Sequence, residues 1–296
     1  MSLFSLLGAL EIGLIFSLVA LGVLISFRIL RFPDLTVDGS FPLGGAVAAT
    51  MISAGSDPFT ATLVATAAGS LAGLLTGWLN VRLRIMDLLA SILVMIALYS
   101  INLRIMGRPN VPLIMEPTFF TLLQLPGIPD YMMRPLLLVG VVLIAKFALD
   151  WFFATQTGLA MRATGSNPRM SRSQGVHTGA MILAGMALSN ALVALAGALF
   201  AQSQGGADIS MGIGTIVIGL AAVIVGESIL PSRKLMWLTL AVIFGALVYR
   251  LFIALALNTD FIGLKAQDLN LVTAVLVTFA LVLPRLRGRF KAKGGR

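Results

Sequence analysis

Cysteine is absent from the 296-residue sequence, and histidine occurs once, at position 177. The chain therefore cannot form disulfides, thiolate metal sites or a cysteine nucleophile, and it offers no pair of imidazoles for a metal or a proton relay. It also lacks a G-x-x-x-x-G-K-[ST] phosphate loop, an H-E-x-x-H motif and a G-x-S-x-G motif. We therefore expect no catalytic residue, no metal site and no cofactor on this chain, which would then not itself be an enzyme.

Charged residues are also scarce. They make up 11% of the chain, whereas hydrophobic residues make up 58%, and the mean hydropathy is +0.99. Because soluble domains carry about 25% charged residues, this composition indicates an integral membrane protein. The net charge of +9 comes without a basic patch interleaved with aromatic residues. We therefore expect basic loops that face membrane lipid and no nucleic-acid site.

Long apolar runs divide the chain into candidate membrane spans, each close to the roughly 20 residues that a helix needs to cross a bilayer. The runs occupy 12–27, 39–56, 59–81 and 88–103, begin again at 135, 178, 209 and 235, and end with 269–284. They lack the apolar and polar alternation of barrel strands, and helices satisfy their own backbone groups in lipid. We therefore predict an all-α polytopic membrane protein with about nine spans in a single domain, residues 1–296. The first run has no basic segment before it and no cleavage signal, so we expect it to be retained as a span.

Lysine and arginine residues predict the orientation of these spans. Most of the 21 basic residues share one side of the membrane if the basic tail 285–296 is cytoplasmic. The positive-inside rule then places the N-terminus outside and the loop 156–177 in the cytoplasm. The proline-rich loop 107–133 is external in this arrangement, and its apolar centre at 119–125 predicts a short helix on the outer face. This loop would receive a partner from outside or plug the outer mouth of the bundle.

Two of the runs follow segments rich in glycine, proline and polar residues, namely RFPDLTVDGSFPLGG at 31–45 and AQSQGGADISMGIG at 201–214. Irregular backbone at membrane depth is stable only where protein or a water-filled cavity satisfies its polar groups. Two interrupted spans therefore suggest a polar path, with ordinary turns as the alternative. The polar residues that we predict to line this path are Asp38, Gln202, Gln204 and Asp208. Asp208 could meet the amine of a solute, or it could cap a helix that starts near Met211.

Spacing within the runs predicts contacts between helices. Stripes of small residues indicate closely packed helices, either within the chain or between two subunits. The stripes consist of Gly69, Gly73, Gly77, Gly185, Ser189, Gly197 and Ala201. Lys146 and Asp150 stand four residues apart, which places both side chains on one helix face and predicts an ion pair.

The loop 156–177, QTGLAMRATGSNPRMSRSQGVH, contains a predicted short helix. Asn167 or Ser166 would be its N-cap, Pro168 its first helical residue and Gly175 its end. Isolated helices shorter than about 12–15 residues are marginal in water. We therefore expect a partner to pack on this helix.

This loop and the run after it resemble the inner loop and following helix of ATP-binding-cassette importer permeases of the ribose and branched-chain amino acid group. The resemblance extends over LTVDGSFPLGG and GGADISMGIGTIVIG, while Met170 and Ser171 replace two alanines that are usual in the family. The chain length and the stretch FPDLTVDGSFPLG are similar to those of a subgroup of predicted tryptophan and tyrosine importers. The matching residues around the loop are Gly165, Asn167, Gly175, Val176, Ala194, Leu195, Ala196 and Gly197.

The resemblance implies a permease subunit in the bacterial inner membrane that forms the path for an amino acid or a similar small polar solute. It implies as partners a second permease copy, cytoplasmic ATPase subunits that bind ATP and Mg²⁺, and an extracytoplasmic solute-binding protein. The short inner helix would enter a groove of the ATPase, where its arginines could bond acidic groups or instead hold lipid headgroups. The residues expected to couple the two subunits are Arg162, Gly165, Asn167, Pro168, Arg169, Arg172, Gln174 and Gly175.

An alternative from a different class is a secondary transporter or channel driven by an ion gradient. Such a protein is expected to carry relays of intramembrane carboxylates or histidines and a repeated half. Neither feature is evident in the sequence, so the importer permease is the favoured interpretation.

Overall fold

The computed structural model describes residues 3–123, 130–232, 234–258 and 278, and this part of the chain is almost entirely helical. The helices are α1 (Leu3–Val23), which continues into a π-helical segment (Leu24–Leu30), α2 (Val37–Ser53), α3 (Pro58–Leu83), α4 (Asp87–Met106), α5 (Phe119–Leu122), α6 (Asp130–Ala154), α7 (Gln156–Ser166), α8 (Pro168–Ser173), α9 (Thr178–Gln204), α10 (Thr215–Ile229) and α11 (Leu235–Asn258). Two short strands, β1 (Asn110–Pro112) and β2 (Gly206–Asp208), pair antiparallel.

Six helical stretches in the described residues are long and apolar enough to cross a membrane. They are Ser5–Leu30, Pro58–Leu83, Asp87–Met106, Met132–Ala154, Thr178–Gln204 and Leu235–Leu255, and each matches a predicted run. The predicted second and seventh runs form shorter helices, α2 with 17 residues and α10 with 15. At 1.5 Å per residue these are only about 26 and 22 Å long. Nine full spans are therefore not confirmed, and the predicted ninth run lies outside the described residues.

Helix α9 lies at the centre of the bundle and packs against α1, α2 and α3. Small residues bring the backbones into direct contact, since a Cβ at Gly73 would overlap the carbonyl oxygen of Met186, and a Cβ at Gly197 that of Phe41. Close backbone approach holds helices together in lipid, where no hydrophobic force drives them together. The predicted stripes of small residues therefore serve contacts within this chain.

Chain direction shows which segments share an end of the bundle. Helix α9 has 27 residues and runs from α8 to β2 over about 40 Å. The Ser203 hydroxyl near its far end donates to Glu11 at 2.6 Å, so the N-terminal half of α1 lies toward β2. At the opposite end, Gly165 of α7 contacts the Ile29 carbonyl group. The N-terminal half of α1 and the loop that carries β1 therefore share one end, and α7 and α8 lie at the other, as the predicted topology requires.

The predicted ion pair is present on α6. Lys146 Nζ donates to Asp150 Oδ2 at 2.6 Å, and both side chains are largely shielded. Thr239 of α11 donates to the second carboxylate oxygen at 2.8 Å. The pair thus joins two spans as well as reducing the cost of placing two charges in the membrane.

Candidate functional site

The chain between β2 and α10 crosses part of the bundle without helical structure. Residues 209–214 form turns. Gly205, just before β2, and Gly214, the last residue of the turns, have φ values of +74° and +82°, a left-handed conformation that glycine adopts at no steric cost. Gly212 lies directly against Asp38, whose carbonyl oxygen a Cβ at Gly212 would overlap. The segment therefore runs from the strand pair to the first turn of α2. The predicted interruption before α10 is confirmed.

Asp38 caps α10 from a distant part of the chain. Its Oδ1 accepts a hydrogen bond from the Ile216 amide at 2.8 Å, and its Oδ2 accepts one from the Gly214 amide at 3.3 Å. The first N–H groups of a helix have no partner within the helix, and a carboxylate there satisfies them and complements the helix dipole. The carboxylate that we predicted to line a path therefore also fixes the start of α10.

The irregular entry to α2 is confirmed, but it is shorter than the glycine and proline content suggested. Only the residues before Val37 are non-helical, and Pro42 lies inside the helix. Gly44 serves close packing and not a turn, because a Cβ there would overlap the Ala194 carbonyl group of α9. A Cβ at Gly45 would overlap a side chain of the segment 209–214.

A buried polar cluster anchors this entry and was not predicted from the sequence. The Asp34 carboxylate accepts hydrogen bonds from the Thr36 amide at 2.9 Å and from Asn190 Nδ2 at 2.8 Å. Asn190 Oδ1 in turn accepts from the Ser40 hydroxyl at 2.7 Å. All four residues are buried. An asparagine inside an apolar run is the signal that could have indicated the cluster, because a polar side chain at membrane depth requires partners.

A cavity of about 420 Å³ opens beside Asp38, between α2, α4 and the segment 209–214. Its lining is mostly apolar and includes Pro42, Met95 and Ile213 together with Tyr99. Asn102 also lines it, is fully buried, and donates from Nδ2 to the Gly39 carbonyl group at 3.2 Å.

The Oδ1 atom of Asn102 has no donor within hydrogen-bonding distance among the described residues. A buried carbonyl oxygen without a donor costs free energy. Because the atom is itself buried, a molecule in the cavity would reach it only if a neighbouring side chain moved. The sequence analysis missed Asn102 because a lone asparagine in α4 belongs to no motif.

The two glutamines predicted for the path lie elsewhere. Gln202 is buried, its Oε1 accepts from the Phe119 amide at 2.8 Å, and its Nε2 donates to Thr62 Oγ1 at 2.9 Å. It therefore attaches α5 to α9 and α3. Gln204 is exposed and bonds to Ser203 at 3.4 Å. Neither glutamine lines the cavity.

Asp208 closes a turn and does not cap a helix. Its Oδ1 accepts hydrogen bonds from the Ser210 amide, at 2.8 Å, and from the Ser210 hydroxyl. Asn110 Nδ2 donates to its Oδ2 at 3.4 Å. The hydrogen bond from the Ser210 hydroxyl lowers the pKa of Asp208, so the carboxylate is ionised at neutral pH. Of the two roles considered for Asp208, the cap of a helix near Met211 is wrong, since α10 begins at Thr215 and Asp38 caps it.

The predicted short inner helix is present as α8. Asn167 is its N-cap, with Oδ1 accepting from the Met170 amide at 3.1 Å, and Pro168 is its first residue. Gly175, with a φ value of +82°, follows its end. Arg169 and Gln174 are exposed beside these residues. The helix therefore presents a free surface on the described part of the chain.

The other predicted coupling residues connect α7 and α8 to the bundle. Gly165 is buried against the π-helical segment, where a Cβ would overlap the Ile29 carbonyl oxygen. Arg172 donates from Nε to Thr178 Oγ1 at 2.7 Å, which ties α8 to the start of α9. Arg162 lies on α7 and lines a separate small pocket. The eight residues thus gather at one end of the bundle but do not form one surface.

Comparisons with known proteins agree with the family resemblance seen in the sequence, and they extend over nearly the whole chain. Residues 5–283 match the family of branched-chain amino acid transport system permease components. The tyrosine transport system permease protein of Clostridioides difficile (strain R20291) is 38% identical over 90% of this chain and 86% of its own. An uncharacterized protein of Rickettsia prowazekii (strain Madrid E) is 35% identical over 93% of this chain and 96% of its own. The galactofuranose transporter permease protein YtfT of Escherichia coli (strain K12) is 28% identical over 89% of this chain and 74% of its own.

No solved structure matches the chain. The family match spans the apolar helices, the interrupted segments and α8, which are the features that carried the resemblance in the sequence. Members of this family are transport components and not enzymes. The chain therefore belongs to the branched-chain amino acid permease family and is a membrane-spanning permease subunit of an ATP-binding-cassette importer.

Proposed function

We propose that the cavity beside Asp38 forms one wall of the solute path and that a second copy of the chain forms the opposite wall. The cavity itself is the observation that carries this proposal, because it combines a mostly apolar lining with the polar side chains of Asp38, Tyr99 and Ser100. It also lies where α10 begins part of the way through the bundle. Transporters commonly bind their solutes at such broken helices.

The solute we propose is an amino acid, with an aromatic amino acid as the specific candidate. The cavity volume of about 420 Å³ falls in the range of small-molecule sites. Tyr99 and Met95, which line the cavity, would contact the side chain of the solute. The tyrosine transport system permease of C. difficile supports the choice of an aromatic solute.

A separate ATPase at the end that carries α8 would bind ATP and Mg²⁺. The exposed Arg169 would bond an acidic group in its groove, and the bond from Arg172 to Thr178 would pass a movement of α8 to α9. ATP can drive transport only if the closed ATPase binds the two conformations of the permease with different affinity. A solute-binding protein would dock at the opposite end, near α5 and the strand pair. This arrangement places the chain in the bacterial inner membrane, with α8 in the cytoplasm and the N-terminus outside.

Filling the cavity tests the proposed path. Ser100 is exposed and lines the cavity, so Ser100→Trp adds bulk there without disturbing the packed core. Ala97 is an exposed residue of the same helix that does not line the cavity, and Ala97→Trp is the matched control. We expect Ser100→Trp to lower the uptake of labelled tyrosine about tenfold or more in liposomes that contain the permease, its ATPase and its binding protein. Equal uptake by both variants would show that the path lies elsewhere.

The same liposomes test the energy source and the solute. Uptake should require ATP on the side of the membrane where the ATPase is bound. It should continue when a protonophore removes the proton gradient. Unlabelled tyrosine should compete better than leucine or ribose. Uptake that needs an ion gradient and no ATPase would favour the secondary transporter instead.

A further inference from the structure

The end of the bundle that carries α8 contains a basic pocket that is separate from the cavity beside Asp38. The pocket has a volume of about 170 Å³ and lies between the π-helical segment, α7 and the start of α11. Arg28, Arg31 and Arg162 line it together with Leu235 and Leu238. The pocket therefore combines three cationic groups with an aliphatic wall.

The positive charge of this pocket is only partly neutralised. Arg28 Nε lies 2.6 Å from Glu227 Oε1, and the Arg28 side chain remains 57% exposed. Arg31 and Arg162 make no side-chain hydrogen bond or ion pair within the part of the chain that the structure describes. Like charges that gather in one place repel each other. An anion that enters the pocket would remove this repulsion.

The surroundings of the pocket place it at a membrane boundary. Leu235 is the first residue of α11 and of a candidate membrane span. Met236 and Trp237 follow it with exposed side chains, and tryptophan is enriched where membrane meets water. The arginines thus lie at the depth of lipid headgroups, and the leucines lie beside them on the apolar side.

We propose that this pocket binds the phosphate group of an anionic phospholipid from the leaflet on the α8 side. The guanidinium groups of Arg31 and Arg162 would donate to the phosphate oxygens, as arginine does in bidentate phosphate recognition. Basic pockets between membrane helices suit such headgroups. The acyl chains would run along Leu235 and Leu238.

The proposal separates Arg162 from the ATPase contact that the sequence suggested for it. Arg162 shares α7 with Gly165, which packs on the π-helical segment at Ile29, and that segment also carries Arg28. A lipid headgroup between Arg31 and Arg162 would therefore brace α7 against the end of α1. Lipid composition would then influence the position of α7, the helix that precedes α8.

Native mass spectrometry of the purified full chain can measure this binding. The chain is titrated with phosphatidylglycerol, and phosphatidylcholine is the zwitterionic reference. We expect Arg31→Gln/Arg162→Gln to weaken phosphatidylglycerol binding about tenfold or more, with little change for phosphatidylcholine. Glu227→Gln should strengthen it, because Arg28 then loses its competing carboxylate.

Arg82→Gln/Arg84→Gln is the matched control. It removes the same charge from exposed residues at the corresponding end of α3, and Arg84 shares with Arg31 a φ value of +56°. The proposal predicts that this pair retains phosphatidylglycerol binding. Equal weakening by both pairs, or no weakening by the pocket pair, would overturn the assignment.

Two further measurements distinguish the phospholipid from other anionic partners. Excess inorganic phosphate should not displace phosphatidylglycerol, whereas displacement would make a soluble phosphate the ligand and overturn the lipid proposal. The pocket pair should also still bind the ATPase subunit. Loss of ATPase binding with retained phosphatidylglycerol binding would assign these arginines to the protein partner instead.

Discussion

At the scale of single residues, the Asp38 carboxylate accepts hydrogen bonds from within the protein. Both carboxylate oxygens accept hydrogen bonds from the first turn of α10. The nearby Asn102 Oδ1 atom is buried and has no hydrogen-bond donor among the residues described. A solute would therefore meet a carboxylate whose two oxygens already accept hydrogen bonds from the protein. Such a site favours weak binding, which suits a path that must release what it receives.

Substitutions of Asp38 should separate its capping role from its charge. Asp38→Asn retains an oxygen that can accept from the Ile216 amide, whereas Asp38→Ala leaves the amides of the first turn without an acceptor. Loss of an N-cap costs about 1 kcal/mol. We expect Asp38→Ala to lower the temperature of thermal unfolding more than Asp38→Asn does. An equal decrease in both variants would mean that charge, and not capping, is the stabilising property.

Gln202 and Gln204 form a natural pair of test and control. Gln202→Met keeps the length of the side chain but leaves the Phe119 amide without its acceptor, whereas Gln204 is exposed and has no such role. We expect hydrogen exchange at Phe119 to become faster in Gln202→Met, because local opening controls exchange. Exchange there should not change in Gln204→Met. Unchanged protection in both would contradict the anchoring role of Gln202.

At the scale of elements, the contact between α7 and the end of α1 connects the predicted coupling region to the bundle. The end of α1 is π-helical, and such segments are rare and often occur at functional sites. Gly165 reaches its backbone because the glycine has no Cβ. A displacement of α7 would therefore act directly on α1, while a displacement of α8 acts on α9 through Arg172.

Gly165→Ala tests this contact, and Gly140→Ala is its control. A methyl group at Gly165 would overlap the Ile29 carbonyl oxygen, whereas nothing lies within 4 Å of a Cβ at Gly140 on α6. Overpacking costs about 1–3 kcal/mol, while alanine is favoured over glycine in a helix by about 1 kcal/mol. We expect thermal unfolding at a lower temperature for Gly165→Ala only, together with less uptake for each ATP hydrolysed. Normal coupling in Gly165→Ala would argue against transmission through α7.

At the scale of the whole molecule, the structure groups segments by the end of the bundle at which they lie. Ala54 follows α2 at the end that carries the strand pair, and Ser232 lies between α10 and α11 at the end that carries α8. The absence of cysteine makes single-cysteine variants directly informative. In intact cells, Ala54→Cys should react with a membrane-impermeant thiol reagent, and Ser232→Cys should react only after permeabilisation. The opposite pattern would reverse the predicted topology. The predicted topology also puts Thr259, in the loop before the ninth run, on the external side, but this residue is not among those described.

Much of the architecture follows from local patterns in the sequence. Hydropathy located six spans, and the asparagine, proline and glycine around α8 located both of its ends. The spacing of Lys146 and Asp150 located their ion pair. Each of these features depends on residues within a few turns of each other, or on how one segment partitions between water and lipid. Local sequence is sufficient for such features.

The site required the tertiary structure. Asp38 and Ile216 stand 178 positions apart, and Gln202 and Phe119 stand 83 apart, so no local pattern relates either pair. The sequence by itself determined the membrane class, the main spans and α8, because composition and periodicity control partitioning into lipid and helix formation. Its resemblance to known permeases indicated the family. Only the tertiary structure decided that Asp38 caps α10, that Gln202 holds α5 and that Asn102 borders the cavity. Those roles depend on which helices become neighbours, and the close contacts at Gly44, Gly73 and Gly197 determine that arrangement.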